Sequence, residues 1–280
     1  MNHIKMYVLL IVSVLFLFGC NQANETSNNE NSKNANNTEP FDQAEIADVF
    51  QKAADAHHEI NNMKADTQAK VGTISNGREA EYTTQEATFI TFDPFIIHSI
   101  NKANGPLETE SIESEMYVTD DQGYINGPRT NGWTIFPLQE IRMYIDVLTI
   151  TTDIQFTHYQ DYTEHFTMEE DENAYIIYFE GENELYLDAI VHGVPDMIVP
   201  SEEIHKSDDI DFNGTMEMYI DKDTFLLTKL KKTFEQTREE NGMTYEDYSD
   251  LEVTYSEFNE LDEIGIPEEV IAEASGSVTA

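Results

Sequence analysis

Cysteine is almost absent: Cys20 is the only one in 280 residues. No disulfide can form within the chain, and no multi-cysteine zinc or iron–sulfur site is available. Basic residues are also scarce, 15 Lys and Arg against 55 Asp and Glu, a formal net charge of −40. Such a chain is repelled by phosphate backbones and anionic membrane surfaces, which excludes nucleic-acid binding through basic contacts. Long apolar runs are missing too. The run Tyr7–Phe18 has twelve residues, well short of the about 20 that a transmembrane helix needs. GxSxG, HExxH, P-loop and GxGxxG motifs do not occur, so nothing points to an enzyme or to a bound cofactor. With 55 carboxylates some pair always lies close together, and a proposed acid–base dyad would carry no weight. Apolar side chains are not lacking, at 40% hydrophobic and 11% aromatic, enough to bury a core.

Lys5 is the only charged residue ahead of the apolar run, the arrangement of a secretory signal. The run ends in Leu17-Phe18-Gly19-Cys20. This resembles the bacterial lipobox, although Phe18 is bulkier than the residue usual there. The alternative is an ordinary signal peptide with a chance cysteine, against which the sole cysteine sits directly after a small residue. The resemblance implies removal of residues 1–19 and a diacylglycerol on Cys20, with acyl chains such as palmitate. A chain so modified is held at the cell membrane on its extracytoplasmic side. Cleavage leaves 14 basic residues against the same 55 acidic ones, a charge of −41. Residues 21–39 include eight Asn and no aromatic or branched aliphatic side chain. They read as a disordered tether, which as a flexible coil spans about 25 Å. The chain thus divides into a signal peptide (1–19), a lipidated cysteine with its tether (20–40) and a single domain (41–280).

Within the domain, Ile46, Val49, Phe50, Ala53, Ala56 and Ile60 share a helical face, which predicts an amphipathic helix over 42–60. The period then shortens. Residues 63–74 and 78–92 read as strands around Asn76-Gly77, a type I′ hairpin signal. Short strands follow at 94–101, 112–119 and 123–127. Pro137 opens a helix with Leu138, Ile141, Ile145 and Leu148 on one stripe, and Ile154–His165 is a second helical pattern. A strand at 174–180 and a short helix over Leu185–Val191 come next. Three long strands, 212–220, 225–238 and 243–258, close the domain. A two-residue turn at Asn241-Gly242 makes strand partners sum to 483, which sorts Leu230 and Phe234 from Lys229 and Lys231. Hairpins with inserted helices predict an α+β fold.

Three stretches carry a resemblance. They are Gly214–Lys229, with its acidic turn after Asp221, the pair Gly132-Trp133, and Ile266-Pro267-Glu-Glu-Val270. Over about residues 42–271 they are similar to Gram-positive surface lipoproteins of a family of unknown function. That family in turn resembles lipoprotein carriers of the LolA/LppX type. The resemblance implies a large curved antiparallel sheet, a half-barrel, with the N-terminal and inserted helices packed on its concave face. It also implies a lipid or other apolar ligand between sheet and helices.

Candidate ligand-lining residues are Trp133, Phe136, Leu138, Ile141, Ile145 and Leu148, although a lone Trp in a β-rich domain is more simply core. His158, Asp161 and His165 share a helical face and read as a solvated polar face before a metal site. Asp209-x-Asp211-x-Asn213-Gly214 copies the first half of a calcium loop, but Ile220 stands where a bidentate Glu is needed. It reads as a turn before a strand, and no metal is assigned. Lys229, Lys231 and Lys232 form the basic cluster, which cross-strand pairing of Lys231 with Glu252 accounts for. Two functions remain open: an anchored carrier of an apolar ligand, and a non-catalytic envelope interaction protein with a filled core. The charge itself fits exposure to a salty or alkaline medium. The domain is then expected to gain melting temperature between low and molar salt, and a flat or falling curve would contradict that.

Overall fold

A computed structural model describes residues 41–105, 111–128, 130–136, 152–191, 210–240 and 242–277. Helix α1 (Gln43–His58) begins at a capping box. The Glu45 amide donates to Asp42 and the Asp42 amide donates to Glu45, both at 2.9 Å, an arrangement that stabilises by about 1 kcal/mol. Ile46, Val49, Phe50 and Ala53 are buried along one face, as their spacing requires, and His57 completes it. The helix stops at His58 because the next amides bond back only three residues, to Ala56 and His57. Ile60, expected on the same face, therefore sits beyond the helix in a separate apolar cluster.

Among the described residues, eleven antiparallel strands form one sheet. They are β1 (Asn62–Ser75), β2 (Arg78–Phe92), β3 (Phe95–Asn104), β4 (Ile112–Thr119), β5 (Gly123–Asn126) and β6 (Thr134–Phe136), then β7 (Phe166–Glu170), β8 (Ala174–Glu182), β9 (Ile210–Asp221), β10 (Leu227–Glu240) and β11 (Met243–Ser256). The order β6-β5-β4-β3-β2-β1-β11-β10-β9-β8-β7 describes an open sheet. One meander walks outward from the centre to β6, and the second returns from β7 to pair β11 with β1.

The two long hairpins follow the sequence closely. Asn76 and Gly77 both take positive φ, 53° and 69°, as a type I′ turn demands. In β10–β11, Leu230 opposes Val253 and Lys231 opposes Glu252, the expected register. The acidic turn after β9 is tied by Asp221, whose carboxylate accepts from the Asp223 and Thr224 amides and the Thr224 hydroxyl. Two strands were not expected. β7 follows a helix α2 (Thr152–Tyr159) and a 3₁₀ turn (Gln160–His165), and its five residues are too few to announce an alternation. β6 has three residues.

Alternation sends one set of side chains under the helices. The larger cluster joins Ile46, Val49 and Phe50 of α1 and Phe156 and Tyr159 of α2 to Phe166, Ile177, Phe179, Met216, Met218 and Leu230 of the strands. Helix α3 (Asn183–Tyr186), continued by a π turn to Val191, lies on the same face. Its approach depends on Gly214, where a Cβ would meet the Tyr186 ring at 2.4 Å. We call this helix-covered face the inner face. A second cluster extends it over β1–β4 with Met63, Ile90, Ile97 and Val118. Helix α4 (Glu268–Ser277) packs on the opposite, outer face through Val270 and Ala274 against Tyr117, Tyr124 and Trp133.

Candidate functional site

His57 locks α1 to the start of β10. Its Nδ1 donates to the Ala53 carbonyl at 2.9 Å, and its Nε2 accepts from the Leu227 amide at 3.3 Å. One nitrogen donates and the other accepts, so the geometry holds the neutral imidazole. From there the inner face can be read row by row. The row Phe166–Phe179–Met216–Lys232–Leu251–Ala69 crosses from β7 to β1. Among these six side chains Lys232 is the single charge.

The register splits the basic cluster of the sequence. Lys229 and Lys231 point outward, while Lys232 shares the parity of Leu230 and Phe234 and points inward. The expected Lys231–Glu252 pair is replaced. Lys231 reaches Glu217 on β9 at 3.1 Å, and Glu252 takes Lys229 at 3.1 Å. Both carboxylates flank Lys231 across neighbouring strands, so each lysine settles on its own acid.

Lys232 keeps some accessible surface, yet protein surrounds its ammonium and burial lowers its pKa from 10.5 to about 8. Tyr255, on β11, combines the same two properties, and burial pushes its hydroxyl up to about 12. Burial likewise raises the hydroxyls of Tyr159 and Tyr186. Charge on Tyr186 or Tyr255 would raise Tyr159 further, so the three lie within electrostatic reach of one another. Tyr159 contacts the Met216 sulfur at 3.7 Å, and the Tyr186 ring lies 5.4 Å from that of Phe234. Apolar strand residues in this zone, Leu251 and Phe234, are only part-buried.

The inner face also carries polar groups with assigned duties. Ser99 and Thr88 donate to Glu86, and Asp247 accepts from Arg238 at 2.9 Å. Gln236 is different: it is 4% exposed, and its Oε1 has no hydrogen-bond partner among the described residues.

The residues singled out from sequence are not brought together. Phe136 opposes Gly123 and packs on the inner-face cluster with Val118. Trp133 lies on the outer face, 5.6 Å from Tyr117, with its amide donating to Glu273 at 3.2 Å. Leu138, Ile141, Ile145 and Leu148, like Cys20, fall outside the described residues. His158 bonds the Asp188 carbonyl at 2.9 Å, while His165 lies 3.7 Å from Glu164. Asp211 and Asn213 are ladder positions of β9 and not a turn before it. No group of three or more metal-ligating side chains occurs among the described residues.

These observations define an α+β protein built on one wide, open antiparallel sheet with helices over an apolar face. Residues 45–275 match the family of unknown function DUF6612, and the chain belongs to that family. No curated protein matches it in sequence. Among solved structures it is similar to LprF from Mycobacterium bovis, at 10% identity and a TM-score of 0.41, covering 80% of this chain and 97% of that one. It is also similar to a LolA superfamily protein from Nitrosomonas europaea, at 11% identity and a TM-score of 0.22, covering 80% and 96%. A third is a putative outer membrane lipoprotein-sorting protein domain from Vibrio parahaemolyticus, at 6% identity and a TM-score of 0.24, covering 84% and 99%.

Proposed function

We propose that the chain is a non-catalytic extracytoplasmic lipoprotein, anchored through acylated Cys20, whose domain holds a lipid or other apolar ligand between sheet and helices. On this reading the sheet bends into a half-barrel with its helix-covered face concave, and Phe136, Leu138, Ile141, Ile145 and Leu148 contribute to the ligand's surroundings. The observation that supports it most is the state of Leu251, Phe234, Lys232 and Tyr255. All four project from central strands onto the helix-covered face, and none is fully buried. Expressed as the Cys20→Ala chain, the protein is expected to bind an environment-sensitive apolar dye saturably, at one dye per chain. Absence of saturable binding would count against the reading.

The anchor is tested separately. Cys20→Ala is expected to abolish incorporation of labelled fatty acid and to release the protein from membranes. Unchanged membrane attachment would show that Cys20 is not the anchor.

A second reading, an envelope interaction protein with a filled core, draws on the β7–β10 half. Phe50, Phe179, Met216 and Ile177 are fully buried there. It predicts partner capture by crosslinking through the acidic surface and no ligand uptake.

A further inference from the structure

Lysines among the described residues almost always find an acid. Of the eight among the described residues, Lys52, Lys64, Lys70, Lys102, Lys222, Lys229 and Lys231 each reach a carboxylate within 3.1 Å. Lys232 alone has no such pair among the described residues, in a protein with 55 carboxylates. The inner-face acids do not supply one. Glu86 lies three strands away in the adjacent row, about 15 Å off at normal strand spacing, and holds Ser99 and Thr88. Asp247 stands four residues along β11 from Leu251, the register partner of Lys232, and is engaged by Arg238. Around the lysine are Met216, Leu251, Leu230 and Phe234. An enclosed cation with apolar neighbours and no counter-charge is unfavourable unless something else supplies the charge. Gln236 adds an independent orphan on the same face of the same strand, four residues from Lys232, with its Oε1 buried and unmet.

We infer that the ligand is an anionic amphiphile, its acidic head (carboxylate or phosphate) held by Lys232 and its chain lying along the apolar inner face. The inference rests on the apolar-ligand reading and sharpens it from any apolar molecule to an acid-headed one. It also reconciles a strongly acidic protein with an anionic ligand: the outward charge lies in the medium, while Lys232, the one lysine among the described residues without a paired acid, projects onto the helix-covered face.

The test uses the full Cys20→Ala chain, stripped of ligand by solvent extraction, with oleic acid and oleyl alcohol as matched probes. The acid is expected to bind at least tenfold more tightly than the alcohol, as a charge-assisted hydrogen bond provides. Lys232→Met is expected to bind the two probes alike, and Lys231→Met, on the outer face, to discriminate as the wild type does. Equal binding of acid and alcohol by the wild type would overturn the head-group assignment and leave the apolar-ligand reading standing. If neither probe binds, both fall. Displacement of oleic acid by millimolar inorganic phosphate would make this a soluble-anion site and contradict the amphiphile. Discrimination that survives in Lys232→Met would place the head elsewhere.

Discussion

Replacing Phe50 with alanine is expected to destabilise the domain by about 3–5 kcal/mol, lowering its melting temperature by roughly 10 °C. Phe50 is fully buried and stands where three elements meet. Its ring lies 5.9 Å from Phe156 and 5.8 Å from Tyr159 on α2, and 5.2 Å, edge-on, from Phe166 on β7. Phe166 in turn packs against Phe179 at 5.3 Å. Removing the ring takes away apolar burial and leaves a cavity whose rigid aromatic walls collapse poorly. Lys52→Ala, two residues away on the exposed side of α1, controls for a general effect on the helix and is expected to change stability by less than about 0.5 kcal/mol. Thermal unfolding by circular dichroism measures both. A loss under about 1 kcal/mol for Phe50→Ala would mean that α1 is not seated on the sheet as described.

Lys232→Met is expected to act in the opposite direction, raising the stability of ligand-free protein at pH 7 by about 2 kcal/mol, or roughly 5 °C. The lysine ionises ordinarily at 10.5 and in the fold at about 8, so the folded state resists the charge that the unfolded state carries freely. Below pH 8 both states are protonated, and the wild type bears the full penalty. Between pH 8 and 10.5 the folded state sheds its proton first and the penalty fades. The advantage of Lys232→Met is therefore largest below pH 8 and vanishes above 10.5. Neighbouring Tyr159, Tyr186 and Tyr255 all ionise higher than usual because of burial. They occur in both proteins and cancel in the difference. A variant no more stable than wild type at pH 7 would mean that Lys232 is not held unpaired in the interior. A gain in stability that accompanies a loss in ligand discrimination is the mark of a residue kept for binding.

Much of the architecture was legible because its causes are local. The α1 stripe, the Asn-Gly turns and the inward–outward sorting of β10 against β11 follow from helical period, turn stereochemistry and the two-residue pleat. Where tertiary context decides, sequence pattern does not reach. A register shift between Leu227 and Lys229 turns Leu227 inward beside Leu230, and no pattern announces such a bulge. Trp133 lacks a periodic neighbourhood, and only the seating of α4 shows that it covers the outer face. Lys232 is a different case. Its parity with Leu230 and Phe234 follows from the two-residue turn at Asn241-Gly242, whereas its lack of a paired acid depends on how Lys229 and Lys231 take Glu252 and Glu217. Gln236 has the same parity, but that its oxygen goes unmet is visible only in three dimensions.

An acid-headed amphiphile seated on the helix-covered face is the proposed ligand. Native mass spectrometry of the Cys20→Ala chain, purified without detergent from the cells that make it, tests this most directly. The account predicts a mass increment of one amphiphile per chain, removable by solvent extraction and bearing a carboxylate or phosphate, with its occupancy reduced in Lys232→Met. A folded protein of bare polypeptide mass that takes up no acid-headed lipid when one is supplied would contradict it.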